Sequence, residues 1–457
     1  MTDTGPPSLT GSTTIQITTA PASIITANAS STPQTATIST AFGALLAATV
    51  RDAFGNPVSG VSVTFTAPGS TFSGTFAGGG TPTETTDVSG VATAPTFTAN
   101  TTVGSYNVTA SATGLTATTF SLTNTAGAPD SITANGNTTP QSAMVNTAFA
   151  ALAVTVKDGA NNAIPNISVT FIAPGNGASG AFTGSIYTVN VTTNASGIAT
   201  APTFAANTIA GAYSVSASAL GVASPAIFSL TNTAGNAASL IVSTLPNPTQ
   251  AGVVANFTIT ARDSSGNIAL TYHGAVTFTS TDAAVMKPAT YLFTAVDNGS
   301  HTFPVTFKTV GPQTITATDA SLTGFQPTIV NPGPAATIAV MNYPSTTTVN
   351  TSGGFTVIVR DFFGNTASGY TGTVHFSSAD SLATLPANYL FTIGDQGVHA
   401  FAATFKTVGT QTLIATDSMN SPVTGKQSGI AVTPAGVTHL AVTAPTNARA
   451  GMAFLSL

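Results

Sequence analysis

The sequence predicts an all-β chain, a tandem array of four two-layer β-sandwich domains with partial repeats at both ends. Three observations carry that expectation. A block of about 100 residues, the length of one seven-stranded sandwich, recurs four times. Within each block apolar and hydroxyl residues alternate with period two, as in Val61, Val63 and Phe65 or Val276 and Phe278. The composition is 42% hydrophobic but only 5% charged, with 26 Phe and many Val and Ile, which suits half-buried pleated surfaces rather than disorder.

The repeats define the elements in order. Val61-Ser62-Val63-Thr64-Phe65-Thr66-Ala67-Pro68-Gly69 returns 106 residues later, beginning at Ile167, and Phe120 to Gly127 returns at Phe228 to Gly235, a shift of 108. In the second pair Phe257, Asp263, Phe278, Asp282, Tyr291, Asp297, His301, Phe307 and Gly311 recur as Phe355, Asp361, Phe376, Asp380, Tyr389, Asp395, His399, Phe405 and Gly409, each 98 residues on. A constant offset keeps loops and strands at one length, so these two copies are expected to superimpose throughout. All four copies share a basic-acidic pair followed by a small-residue turn, at Arg51-Asp52, Lys157-Asp158, Arg262-Asp263 and Arg360-Asp361. Turns rich in Gly, Asn, Asp and Pro close each strand after a few residues, and no helical stripe of useful length is present.

These markers divide the chain into residues 1–18, the last strand of a preceding repeat; 19–127, 128–235, 236–334 and 335–435, four complete domains; and 436–457, the truncated start of a fifth. A unit cannot bury its core with one strand, so the last segment is expected to fray or to pair with an exposed edge. Linkers such as Ala126-Gly127-Ala128-Pro129 and Pro332-Gly333-Pro334 are short and contain Pro, which restricts bending. Stacked end to end, four units would make a rod on the order of 150 Å.

Composition narrows the function. A formal charge of −5 with nine Lys and Arg leaves no basic patch for a phosphate backbone, so nucleic acid is not an expected partner. The absence of Cys removes disulfides, thiolate metal sites and thiol nucleophiles together. No apolar stretch approaches the length of a membrane span, and residues 1–7 lack the features of a signal peptide, so this segment is not expected to insert in a membrane and its export signal would lie elsewhere.

Several strands, in order, resemble a known family. Val50-Arg51-Asp52, then Gly55-Asn56-Pro57-Val58-Ser59-Gly60-Val61-Ser62-Val63-Thr64-Phe65, then Asp87-Val88-Ser89-Gly90-Val91-Ala92-Thr93, then Gly104-Ser105-Tyr106-Asn107-Val108-Thr109-Ala110 resemble bacterial immunoglobulin-like (Ig-like) domains of the invasin/intimin type. The second unit repeats the pattern, with Asn194 where the first has Asp87. Units three and four resemble a related Ig-like class and, more weakly, filamin-type repeats. The resemblance implies Ig-like β-sandwiches in a cell-surface fibre that presents a distal binding domain, with no catalytic residues in the repeats themselves.

A few polar residues are candidates for a functional site. His301 and His399 each lie in Asp-x-Gly-x-His-x-Phe, and acid/base or metal chemistry there needs a second convergent ligand. The favoured reading is a turn Asp and Gly opening a strand, with His301 on the polar side opposite Phe303. His273, His375 and His439 are isolated. The paired acids Asp263 and Asp361, Asp282 and Asp380, Asp319 and Asp417 could bind Ca²⁺ at domain junctions, but no dense oxygen-ligand loop exists, and turn-capping roles are favoured. Glu84 is the only Glu, so no catalytic carboxylate pair stands out. Lys308 and Lys406 are expected to point to solvent, and Lys–Asn isopeptide crosslinks are not favoured. Sequons such as Asn107-Val108-Thr109 carry little information in so Thr-rich a chain.

No residue is therefore expected to be catalytic, to bind a cofactor or to ligate a metal, and no cofactor is expected. The chain is expected to be a non-enzymatic stalk or spacer of a large bacterial surface or secreted adhesin-like protein, extracellular or at the cell surface. Its expected partners are the neighbouring repeats of its own chain and a host or cell-surface ligand. The alternative is an adhesive module that recognises a host or neighbour-cell protein or glycan through loops at the sandwich ends.

Overall fold

The computed structural model describes residues 20–437 without a break, together with Thr2, Gly5, Gly11, Thr13 and Thr18. The partial repeats expected at 1–18 and 436–457, and His439, fall almost wholly outside the described residues. Within them the chain is all-β, with strands and three one-turn 3-10 segments, and no helix long and apolar enough to cross a membrane. It divides into two compact units, 1–234 and 235–457. Each unit holds two hydrophobic cores, one for each domain.

In the first domain Ala22–Ala27, Ala47–Asp52 and Val91–Thr93 form a three-stranded sheet. Facing it is a five-stranded sheet ordered Gln34–Thr37, Thr118–Thr125, Gly104–Ser111, Ser62–Thr66 and Thr83–Thr85. The opening segment serves both sheets: Ala22–Ala27 pairs antiparallel with Ala47–Asp52, and its continuation Gln34–Thr37 pairs parallel with Thr118–Thr125. A short extra pair, Gly74–Phe76 with Phe97–Ala99, closes the open side and contributes two rings to the core. Period-two alternation sends Val63 and Phe65 inward against Phe120 and Leu122, all four without solvent exposure. Each such side chain stabilises the core by about 1.5–3 kcal/mol.

The second domain repeats this plan, its outer strand lengthened to Thr188–Thr192. In both domains the shared first strand and the extra pair raise the strand count above the seven that length alone suggested, to ten.

In the second unit each domain has a three-stranded and a five-stranded sheet but no extra pair. The third domain and the fourth match at the 98-residue offset through Gly311–Asp319 and Gly409–Asp417. They part at the next hairpin. Asp319 and Leu322 are joined by two residues, with Ala320 at φ 45°, whereas Asp417 and Thr424 are joined by six. The longer loop is held by the Asp417 carboxylate, which accepts from the Met419 and Asn420 N–H groups. A bulge at the positive-φ Gly429 absorbs a residue in the strand that follows. The expectation of superposition throughout is corrected at this hairpin, because the two turns demand different numbers of residues.

Candidate functional site: the turn clasps and the His–Asp–Tyr clusters

The recurring basic-acidic pair ends the second strand of every domain, and the Asp buries its carboxylate under the turn that follows. Asp52, Asp158, Asp263 and Asp361 are 2–4% exposed. In Asp158 one oxygen accepts from the N–H groups of Ala160 (3.0 Å) and Asn162 (2.8 Å). The other accepts from Asn162 Nδ2 (3.0 Å) and from the linker N–H of Gly127 (2.9 Å). Asp361 repeats this with Phe363, Asn365 and Gly333, Asp263 with Ser265, Asn267 and Gly235, and Asp52 with Phe54, Asn56 and Ala20. Burial pushes the Asp158 and Asp263 carboxyls up, but these donors outweigh it and hold both below the ordinary range; Asp52 is lowered chiefly by the Asn56 amide. The preceding base does not pair with its neighbour. Consecutive strand residues face opposite sides, so Arg51 and Arg360 donate instead to the Gly55 and Gly364 carbonyls at 2.7 Å.

The Asn that ends the turn reaches into the preceding domain. In the first unit Asn162 Nδ2 donates to the Thr101 carbonyl at 2.9 Å and its Oδ1 accepts from Val103 N–H at 3.3 Å. In the second, Asn365 Nδ2 donates to the Lys308 carbonyl at 2.8 Å and its Oδ1 accepts from Val310 N–H at 3.4 Å. The Lys308 loop is itself fixed by Asp282, which accepts from Lys308 N–H (2.6 Å), Thr309 N–H (3.0 Å) and Thr309 Oγ1 (2.8 Å). Asp380 holds Lys406 and Thr407 in the same way. Linker N–H, buried Asp and turn Asn thus form a clasp across the domain junction. N–H donors surround the carboxylates at the centre of these clasps, which makes them anion cradles, the opposite of what a Ca²⁺ ligand set requires. Asp319 and Asp417 instead take the hydroxyls of Tyr272 (2.6 Å) and Tyr370 (2.7 Å).

His301 is brought together with Asp297 and Tyr291. Its Nδ1 lies 2.6 Å from Asp297 Oδ1, which also accepts from Tyr291 Oη at 3.0 Å, and the Tyr and His ring centroids are 4.3 Å apart. Asp297 additionally accepts from the Thr294 N–H and hydroxyl in a capping box. Against the upward push of burial, these donors hold its carboxyl at about 2. His399, Asp395 and Tyr389 form the same cluster in the fourth domain. The placement of His301 opposite Phe303 is corrected: the two are two positions apart in a strand, so they share a face, with ring centroids 4.6 Å apart. His273 and His375 are exposed, their Nδ1 atoms 2.6 Å from the Thr271 carbonyl and 2.8 Å from Asn388 Oδ1. Lys406 is exposed as expected, but Lys308 is half-buried, its Nζ 5.8 Å from the Phe363 ring centre across the junction. Phe363, in the turn itself, was not singled out from the sequence; its alignment with Phe54 was the available signal.

A cleft of about 630 Å³ opens beside the junction of the third and fourth domains, among Gln250, Pro332, Tyr370, Thr371 and Gln396. The Tyr370 hydroxyl is committed to Asp417, and the polar lining that remains includes main-chain groups, the Gln250, Asn331 and Gln396 amides and the Ser368 and Thr371 hydroxyls.

Two facing sheets, antiparallel but for one parallel edge strand, an opening segment shared between them, and connections that cross from one sheet to the other make up the immunoglobulin arrangement. The four domains are immunoglobulin-like repeats. No family model matches the sequence, and no curated protein does either. Among solved structures the chain is similar to invasin, a bacterial integrin-binding protein, at 20% identity over 89% of this chain and 79% of that one, with a TM-score of 0.38. It is similar to the Escherichia coli adhesin FdeC at 19% identity over 67% and 99%, TM-score 0.38, and to InvD of Yersinia pseudotuberculosis at 17% identity over 65% and 95%, TM-score 0.37.

Proposed function

We propose that these immunoglobulin-like repeats form a non-enzymatic stalk segment of a bacterial surface or secreted adhesin-like protein, holding a binding domain away from the cell. The observation that carries this reading is the clasp in which Asn162 and Asn365 each bond two main-chain groups of the preceding domain. A spacer needs neighbouring domains fixed to one another, and main-chain partners make that fixation independent of the side chains in the preceding domain's loop. The His–Asp–Tyr clusters support the same reading, because each links its members to one another and to a capping box rather than to an open cleft.

The test is small-angle scattering of the full chain beside the Asn162→Ala, Asn365→Ala double variant. The reading requires an extended, narrowly distributed wild type and a broader, shorter distribution in the variant. Identical profiles would remove the clasp from the argument, and a compact wild-type particle would remove the stalk.

A second reading, a ligand-binding module, is favoured by the cleft beside Tyr370. Its lining of Gln250, Thr371 and Gln396 suits a polar ligand such as a glycan. Glycan-array binding that is lost on Gln396→Ala supports it.

A further inference from the structure

The outer edge of the five-stranded sheet differs among the four domains. In the first it is Thr83–Thr85, three residues long, preceded by Pro82 and centred on Glu84, the only Glu of the chain. In the third and fourth it shrinks to Tyr291–Leu292 and Tyr389–Leu390. In the second it is Thr188–Thr192, five residues paired along their whole length with Ser168–Ile172. A short strand, an edge charge and Pro are the usual guards against edge-to-edge pairing. Thr188–Thr192 has none of them, and the only charged residues between 128 and 235 are Asp130, Lys157 and Asp158, none of them on this edge or its neighbouring strand.

This edge also matches itself. Its sequence, Thr-Val-Asn-Val-Thr, reads the same in both directions. Set antiparallel to a second copy about a two-fold axis through Asn190, Thr188 meets Thr192, Val189 meets Val191 and Asn190 meets Asn190. The hydrogen-bond phase agrees. Ala173 N–H donates to the Tyr187 carbonyl and Thr193 N–H to the Ile167 carbonyl, so the main chain of the odd-numbered residues faces the sheet. Alternation then turns the N–H and C=O groups of Thr188, Asn190 and Thr192 to the free edge. Three residue pairs exchanging two bonds each give about six intermolecular hydrogen bonds. Val189 and Val191, partly buried against the core, would continue the apolar layer from one copy to the other.

We propose that Thr188–Thr192 is a self-association edge through which two copies of this chain join by isologous antiparallel pairing, the two five-stranded sheets becoming one. The occupant is a second copy because only an identical strand meets its own residue type at every position. The contact goes beyond the stalk reading and stands whether the repeats act as spacers or bind a ligand.

Sedimentation equilibrium of the full chain tests it. The expected result is a concentration-dependent monomer–dimer equilibrium. Asn190→Pro removes the central outward N–H and leaves the inner ladder intact, because that N–H faces away from Ser168–Ile172. Asn190→Lys places two like charges on the axis. Each is expected to raise the dissociation constant about tenfold or more, with the circular dichroism spectrum unchanged. Because the chain has no Cys, Asn190→Cys supplies a direct readout. Facing Cα atoms of a hydrogen-bonded pair lie about 5.5 Å apart, within disulfide reach, so a linked dimer should form faster than from Glu84→Cys. A wild type that stays monomeric at the highest soluble concentration, association unchanged by Asn190→Lys, or equal crosslinking from both Cys variants would overturn the proposal.

Discussion

The side-chain amide of Asn365 donates to the main-chain carbonyl of Lys308 over 2.8 Å and joins two domains that share no disulfide. The same amide also faces both oxygens of Asp361, so one residue organises its own turn and the junction together.

Replacing that amide by a carboxylate should therefore be worse than removing it. Asn365→Ala loses the junction bonds and is expected to cost about 1–2 kcal/mol. Asn365→Asp sets a second negative charge against Asp361 and the Lys308 carbonyl and should cost more at neutral pH. Its deficit should shrink as acid neutralises the introduced carboxylate. Differential scanning calorimetry of both variants at pH 7 and pH 4 checks the order.

Two aligned tyrosines should respond differently to loss of their hydroxyls. Tyr106 Oη donates to Asn124 Oδ1 at 2.9 Å inside the first domain, so Tyr106→Phe strands a buried acceptor and should cost about 1–2 kcal/mol. Tyr213 Oη and Asn232 Oδ1 have no bonding partner in the second domain, so Tyr213→Phe should fall within about 0.5 kcal/mol of wild type. Urea unfolding of the two variants reads the contrast.

Acid should unfold the chain only at low pH. Donors hold Asp297 down from the ordinary aspartate value of 3.8 to about 2 and lower Asp395 as well, the latter chiefly through the Thr392 N–H. A carboxylate with a depressed folded pKa binds fewer protons in the native state, so its contribution is complete above about pH 4 and is lost as pH falls toward 2. Melting temperatures measured between pH 2 and pH 6 should be flat at the upper end and drop below 4. The slope should be shallower in an Asp297→Asn, Asp395→Asn variant.

Two glycines in the last strands mark places where backbones touch. A Cβ at Gly324 would strike the Leu240 carbonyl, and one at Gly425 the Ile338 carbonyl, whereas at Gly354 the nearest atom is 3.9 Å away. Gly324→Ala and Gly425→Ala should each destabilise by about 2–3 kcal/mol because rigid main chain must give way. Gly354→Ala should be near neutral. Thermal denaturation of the three variants separates close approach from general loss of flexibility.

Much of this is legible in the sequence. The 98-residue offset placed Asp282, Asp297 and His301 beside Asp380, Asp395 and His399 as equivalent residues, and period two placed Val63 and Phe65 in a core. The face of His301 is harder to read, although the same period-two rule governs it. A His in a polar motif reads as a surface residue, and only the stacked Tyr291 ring and the Asp297 carboxylate make a half-buried site acceptable. The clasp was half legible. The turn Asp could be named, but Thr101 and Lys308 contribute main-chain carbonyls, which carry no mark in a sequence.

The sequence by itself determined the all-β class, the repeat and the inward-facing residues, because these follow from local alternation and from copies that can be aligned by inspection. The tertiary structure alone decided which carboxylates serve junctions, where His301 faces and which strand edge stands unguarded. Those depend on N–H and C=O groups that every residue possesses, and only the path of the folded chain determines which of them meet.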